Sequence, residues 1–289
     1  MSAIRPYLMK LALSLFLLAA CTAIGAETGK LTSPVGLQLY SLRDAFKTDV
    51  PGTLDKVKAL GFTEVEVAGL NGLTAEAFRK LLDDRGLKAI SGHWQYDRLV
   101  NETEAVAAEA KTLGCSYVVC PWIPHSGALF NEGACHRAAE DFNKVGEAMK
   151  KHGLQFCYHP HGYEFAPHGD GTYFDLMVKE TNPEFVNFQM DVFWIVHPGK
   201  DPVKLMETYP TRFKLMHLKE MQKGTPTGVL NAKAPKDSSV ALGTGMMNWP
   251  AIFQEAQKIG IQHYFIEDES SKVEEQLPVT LKYLKTLTW

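Results

Sequence analysis

Several common signatures are missing from this chain of 289 residues, and each absence narrows what it can do. There is no excess of basic charge. Thirty Lys and Arg stand against 33 Asp and Glu, a net charge of −3, which leaves no electrostatic footprint for nucleic acid. There are only five cysteines and no Cys-x-x-Cys pair, so that form of metal site is excluded. Past the N-terminal stretch the cysteines are Cys115, Cys120, Cys135 and Cys157. Cys120 and Cys157 fall inside apolar, strand-like runs, so buried free thiols are expected rather than a disulfide framework. No glycine cluster follows the first apolar run, where Leu42-Arg43-Asp44-Ala45 stands, so the phosphate loop of a doubly wound dinucleotide fold is lacking. No linker-like stretch divides the chain.

The N-terminus reads as an export signal. Arg5 and Lys10 precede an apolar run at 11–20, followed by small residues. The run is too short for a committed transmembrane helix. Leu18-Ala19-Ala20-Cys21 also resembles the signal of bacterial lipoproteins, with Cys21 as the lipidated first residue. The other reading is ordinary cleavage near Ala23 or Ala26. Residues 1–26 are therefore taken as the signal. Either route exports the protein, to the periplasm or as an outer-membrane lipoprotein, with any membrane contact made only through an N-terminal lipid anchor.

The remainder suits one large α/β domain, at 33–289. Strand-like runs occur at 35–41, 63–68, 88–94, 117–122, 154–161, 186–194, 213–220 and 263–269. Between and after them, helical spacing occurs at 50–60, 74–85, 102–113, 132–152, 172–180, 202–208, 249–259 and 273–287. Strict alternation implies parallel strands joined by crossover helices. Eight such units in about 255 residues is the size of a (β/α)8 TIM barrel. A long polar stretch without periodicity, 221–247, follows the seventh strand, where barrels carry lids and substrate walls.

In such a barrel chemistry gathers at the C-terminal ends of the strands. Here almost every strand ends in polar groups. The first gives Gln38 and Tyr40, the second Glu64 and Glu66, and the third His93. The fifth gives His159 and His161, with Glu164 just beyond. The sixth gives Asp191, the seventh His217 and Lys219, the eighth Glu267 and Glu269. Unpaired burial of so many ionisable groups would cost several kcal/mol each, so convergence on one pocket explains them together. His159, Asp191, His217 and Glu267 sit at similar depth on four neighbouring strands and read as the ligands of a divalent cation. Mixed imidazole and carboxylate ligands suit Mn²⁺, Zn²⁺, Fe²⁺ or Co²⁺ more than Ca²⁺. Two residues on, His161, Phe193, Lys219 and Glu269 form a second layer facing the substrate. Taken singly, these residues have plainer roles: Asp191 could cap a helix, and Lys219 could pair with Glu269.

These residues carry a resemblance. The opening Gly36-Leu37-Gln38-Leu39-Tyr40-Ser41-Leu42-Arg43, then Tyr158-His159-Pro160-His161 and Tyr163-Glu164-Phe165, are joined by Asp191-Val192-Phe193-Trp194, by Leu215-Met216-His217-Leu218-Lys219 and by Ile266-Glu267-Asp268. Together they resemble the sugar isomerase/epimerase superfamily of xylose-isomerase-like barrels, also called the AP endonuclease family 2 fold, from about residue 35 to 289. The resemblance implies metal ligands Glu, Asp, His and Glu on strands five to eight. Asp191, His217 and Glu267 match the last three. His159 stands where many branches carry glutamate, so either His159 is the fourth ligand or Glu164 reaches back to replace it. The resemblance also implies proton abstraction beside a carbonyl on a small carbohydrate, leading to isomerisation or epimerisation. With export, the substrate is expected to be a non-phosphorylated sugar or keto-sugar. Elimination from a keto-glycoside by a lyase or dehydratase, or a non-catalytic carbohydrate-binding barrel, are the alternatives. His161 or Glu164 is the expected base. Lys219 and His93 would orient or polarise substrate oxygens, Gln38 and Glu66 would bind hydroxyls, and Trp194, with Trp94 and Trp122, would stack on a ring.

Overall fold

Each apolar run extends as a strand because its neighbour offers a free edge, and helices outside the barrel return the chain from one strand to the next. The computed structural model describes residues 29–125, 130–235 and 237–289. The strands are β1 (Val35–Gln38), β2 (Glu64–Val67), β3 (Lys88–His93), β4 (Tyr117–Cys120), β5 (Gln155–Tyr158), β6 (Val186–Asp191), β7 (Phe213–Leu218) and β8 (His263–Ile266). All neighbours are parallel, and β1 pairs with both β2 and β8, so the sheet closes into a barrel. The expected (β/α)8 architecture is present. The signal segment at 1–26 and Cys21 lie outside the described residues.

The main return helices are α1 (Val50–Ala59), α2 (Ala75–Asp83), α3 (Thr103–Leu113), α4 (Glu132–Lys151), α5 (Tyr173–Glu180), α6 (Pro202–Thr208), α7 (Trp249–Ile259) and α8 (Val273–Thr286). Polar caps set where they start. Thr74 accepts from the Ala77 backbone N–H, Asn131 from Ala134, and Thr172 forms a reciprocal box with Asp175. α4 packs so closely that a side chain at Gly146 would meet the Phe185 carbonyl, its Cβ only 2.4 Å from that oxygen. Between barrel and helices lie Phe78, Phe142, Phe174, Trp249 and Phe253, all buried. Burying each such side chain contributes about 1.5–3 kcal/mol. Cys115, Cys120, Cys135 and Cys157 are buried free thiols, as expected.

The barrel interior is divided by depth. Its lower part is filled by Tyr117, Val119, Cys157, Leu215 and Phe265. Its upper part is polar: Gln38, Glu66, Ser91, Gln189, Asp191 and His217 are all fully buried.

The strands stop earlier than their apolar runs suggest. β1 turns at Gln38 into a tight helical turn, Leu39–Leu42. β5 ends at Tyr158, although the His159 N–H still bonds the Cys120 carbonyl at 3.0 Å. β6 ends because the Asp191 carboxylate caps a short helix, Val192–Val196. Phe193 therefore leaves the inward row expected of it and packs with Trp194 and Met221.

The long stretch after β7 is anchored rather than loose. Glu220–Met221 pairs antiparallel with Ser239–Val240. The buried Glu220 carboxylate accepts from Trp249 Nε1 at 2.7 Å and from the N–H groups of Met247 at 3.0 Å and Gly243 at 3.1 Å. The Gly228 N–H donates to the His197 carbonyl at 2.8 Å.

Candidate active site

At the top of the barrel, register brings the ionisable groups together. Asp191 on β6 lies directly opposite His217 on β7, and the Glu267 N–H extends the β7–β8 ladder by bonding the Leu218 carbonyl. Each of the two central residues divides its polar atoms between structure and an open position. Asp191 Oδ1 accepts from the Trp194 N–H at 3.0 Å, which is the helix cap, while Oδ2 is buried without a hydrogen bond. His217 Nε2 is bonded to Glu66, while Nδ1 is buried without a hydrogen bond. That Nδ1 lies 3.7 Å from Asp191 Oδ2 and 3.4 Å from Glu267 Oε2. His159 presents Nε2 at 3.9 Å from the same Asp191 oxygen. Ligand atoms of Asp191, His217 and Glu267 all lie within 4.8 Å of one another, as do those of His93, His159 and His217. Two orphaned buried atoms in a mixed nitrogen and oxygen set fit a divalent cation, because bare burial of such groups costs several kcal/mol.

Charge at this point is tightly balanced. Burial works against the His217 imidazolium, but the Glu66 and Glu267 carboxylates outweigh it and hold its pKa well above the ordinary range. Burial likewise works against the Glu267 carboxylate, and Lys219 and His217 overcome it, holding that pKa well below the usual value. Burial raises the Asp191 pKa. Burial, followed by the neighbouring histidines, keeps His159 neutral. The Lys219 ammonium is buried, 3.1 Å from Glu267 Oε2, and it also contacts Glu269 Oε1. It lies over the faces of Trp194, at 5.0 Å, and Phe193, at 5.4 Å.

Above these groups opens a cavity of about 570 Å³. His93, His159, His161, Trp194, Glu267 and Glu269 line it, and Ala232 from the long stretch after β7 closes one side. Trp122 and Tyr40 flank its mouth and are partly exposed. The ring of His161 lies within 5.3 Å of Trp122 and 5.6 Å of Trp194, and burial brings its pKa down to about 3.

Three of the residues expected in the site lie elsewhere. Gln38 and Glu66 sit beneath the cavity, fully buried and hydrogen-bonded to each other at 2.7 Å, so no substrate hydroxyl reaches them. Glu164 is also fully buried. Its carboxylate accepts from the His161 N–H at 3.1 Å, from the Gly162 N–H at 2.8 Å and from the Tyr158 hydroxyl. It braces the turn that carries His159 and His161 and does not line the cavity, so neither a base nor a ligand role follows from its position. Trp94 reaches the cavity edge, but its ring packs against Gly92 and its Nε1 donates to Glu109 at 2.5 Å. Gln189 escaped the sequence reading. Its signal was present: a polar residue two positions before Asp191 in a buried strand shares the inward face.

The closed parallel barrel thus carries, at the C-terminal ends of its strands, a cluster of side chains that could hold a metal ion. The profile of the xylose isomerase-like TIM barrel (AP endonuclease 2) matches residues 54–287, and the chain belongs to that family. A crystal structure of a sugar phosphate isomerase/epimerase from Parabacteroides distasonis is 28% identical with a TM-score of 0.72, covering 88% of this chain and 98% of that one. The IolI protein, solved with a bound zinc atom, aligns with a TM-score of 0.68 over 87% of this chain and 96% of that one. At 14% identity that likeness shows the fold alone. Among curated proteins, an inosose dehydratase from Clostridium botulinum is 23% identical over 203 residues, 62% of this chain and 66% of that protein. The chain thus spans just under two thirds of that relative's length.

Proposed function

We propose that this protein is a metal-dependent carbohydrate enzyme that removes a proton from the carbon beside a carbonyl of a non-phosphorylated keto-sugar or keto-polyol, and that elimination of a neighbouring substituent follows. The observation that carries the reading is the pair of orphaned atoms, Asp191 Oδ2 and His217 Nδ1, facing Glu267 and His159 below a sugar-sized cavity. His159, Asp191, His217 and Glu267 would hold the cation, with Mn²⁺, Zn²⁺, Co²⁺ or Fe²⁺ suited to the donor set. When bound, such an ion supplies Lewis-acid stabilisation of the negative charge that develops on the substrate oxygen.

The chain's own residues then divide the work. His161 takes the proton. Its Nδ1 faces the His159 carbonyl at 3.3 Å, and a carbonyl only accepts, so Nδ1 carries the hydrogen and Nε2 keeps the lone pair. Burial keeps that ring neutral. His93 and Glu269 meet substrate hydroxyls, and Trp194 and Trp122 cover the ring faces. Lys219, held by Glu267 and Glu269, places a fixed positive charge under the site. A phosphorylated substrate is disfavoured by charge. Among the described lining residues the permanent cation is Arg98, and it already faces Glu109 at 3.4 Å.

Elimination is favoured over isomerisation because the curated relative is named for a dehydration. Export, proposed from the N-terminal signal pattern, fits a non-phosphorylated substrate. The test is to load the protein with Mn²⁺, Zn²⁺ or Co²⁺ in heavy water and offer free keto-sugars, keto-polyols and keto-glycosides. Loss of the hydrogen beside the carbonyl with release of the neighbouring substituent, seen as ultraviolet absorbance from a conjugated enone, is the expected result, lost in His161→Ala. Deuterium exchange without absorbance would replace elimination by isomerisation or epimerisation. Binding with neither signal would leave a carbohydrate-binding barrel.

A further inference from the structure

We propose that Glu66 and Gln189 form a polar floor that fixes the tautomers of His93 and His159 and the ring orientation of His217, so that His159 Nε2 and His217 Nδ1 face the cation position. The proposal deepens the reading of this site as a cation centre, and it makes Glu66 and Gln189 positioning residues.

The deduction starts from a backbone group. The Tyr40 N–H can only donate, and it lies 3.0 Å from Gln38 Oε1, so that atom is the amide oxygen. Gln38 Nε2 therefore donates to Glu66 Oε2, at 2.7 Å. Ser91 Oγ reaches Glu66 Oε1 at 2.6 Å and Gln189 Nε2 reaches the same oxygen at 2.7 Å. A carboxylate has only acceptors to offer, about four lone-pair sites, and here they are filled by converging donors. His217 Nε2 contacts Oε2 and must likewise carry hydrogen, which leaves Nδ1 as the atom facing Asp191 and Glu267, where its own proton is released when a cation binds.

The floor then transmits the assignment one step further. With its Nε2 spent on Glu66, Gln189 turns its Oε1 towards two imidazoles. His159 Nδ1 and His93 Nε2 each lie 2.9 Å from that oxygen. An amide oxygen only accepts, so both nitrogens carry hydrogen. His159 is left with its lone pair on Nε2, the atom nearest Asp191 Oδ2. One buried carboxylate thus orients three rings: His217 directly, His159 through Gln189, and His93 through Gln189 and by its own Nε2, 3.3 Å from Glu66 Oε2. Outer partners that set a ligand histidine's tautomer typically govern metal affinity by about 10- to 100-fold.

The test combines two readouts on the full chain. Long-range proton–nitrogen NMR of the metal-free protein assigns the protonated nitrogen of each ring. The expected pattern is Nδ1–H for His159 and Nε2–H for His93, with His159 losing its preference in Gln189→Met. Chelator competition with Zn²⁺ and Co²⁺, with the visible spectrum of the cobalt form, is then compared across wild type, Glu66→Gln and Gln189→Met. Affinity about tenfold or more weaker in both variants, with a changed cobalt spectrum, is the expected result. Opposite tautomers in the wild type, or variants that bind within twofold of wild type, would overturn the proposal. If the wild type binds neither ion, the cation reading fails, while the tautomer pattern still decides the role of the floor. Should Glu66→Gln not fold, Gln189→Met and the wild-type spectrum carry the decision.

Discussion

Replacing Lys219 by Met separates the positive charge that Lys219 offers Glu267 from that of a bound ion. Lys219 is almost fully buried, and its ammonium pairs with the buried Glu267 and the half-exposed Glu269. Met keeps most of the stem's packing under Phe193 and Trp194 while deleting the charge. Glu269 can turn to water, but Glu267 cannot. Removing one partner of a buried pair costs about 3–5 kcal/mol, because the other charge stays behind. Without metal, K219M should therefore lose about 3–4 kcal/mol, which in a domain of this size lowers Tm by about 6–16 °C. A bound cation beside Glu267 supplies the missing counter-charge, so with saturating Mn²⁺ the loss should shrink to about 1 kcal/mol. By linkage the variant then gains more stability from the ion than wild type does. The assay is urea unfolding of both proteins in chelator and in Mn²⁺. A loss below about 1 kcal/mol without metal, or an equal loss in both conditions, would refute the placement of Glu267 beside both Lys219 and the ion.

Two further outcomes follow from packing and titration. Gly146→Ala puts a Cβ 2.4 Å from the Phe185 carbonyl oxygen, so α4 must shift. The strain of about 1–3 kcal/mol should outweigh the helix propensity gain of about 1 kcal/mol and lower Tm, whereas Gly133→Ala on the same helix, where the nearest atom is 3.5 Å away, should not. Burial raises the Glu164 carboxyl to about 7 despite the Tyr158 and backbone donors. The folded state thus holds this proton more tightly than the unfolded chain, so its contribution is full below about pH 4.5 and is lost as pH rises through 7, about 3 kcal/mol in all. Urea unfolding between pH 5 and 8 should show a shallower decline for Glu164→Gln than for wild type, and parallel curves would contradict the shift.

Much of this architecture was legible because it rests on local signals. Strict alternation of strand-like runs and helical segments marks a (β/α)8 barrel before any contact is known. The strand-end residues His159, Asp191, His217 and Glu267 were visible for the same reason, since period-two spacing sets which way each points. Depth was not legible. Gln38 and Glu66 end their strands as His93 does, yet a polar layer roofed by the histidines removes them from the cavity. That layer depends on Gln189 and Ser91, whose meaning arises only when β2, β3 and β6 face one another across the barrel. Glu164 was misleading because its local turn returns the carboxylate to its own backbone, a choice that spacing does not reveal. Asp191 showed that the plain and the chemical readings coexist: one oxygen caps a helix, and the other stands free.

The central claim is that Asp191, His217, Glu267 and His159 hold one divalent ion. The direct measurement is metal content of the purified protein after equilibration with Mn²⁺, Zn²⁺ or Co²⁺ and removal of free ion, wild type beside His217→Ala and Asp191→Asn. The account predicts about one transition ion per chain in wild type and loss of it in both variants. No retained ion in wild type, or an ion retained equally by both variants, would contradict it.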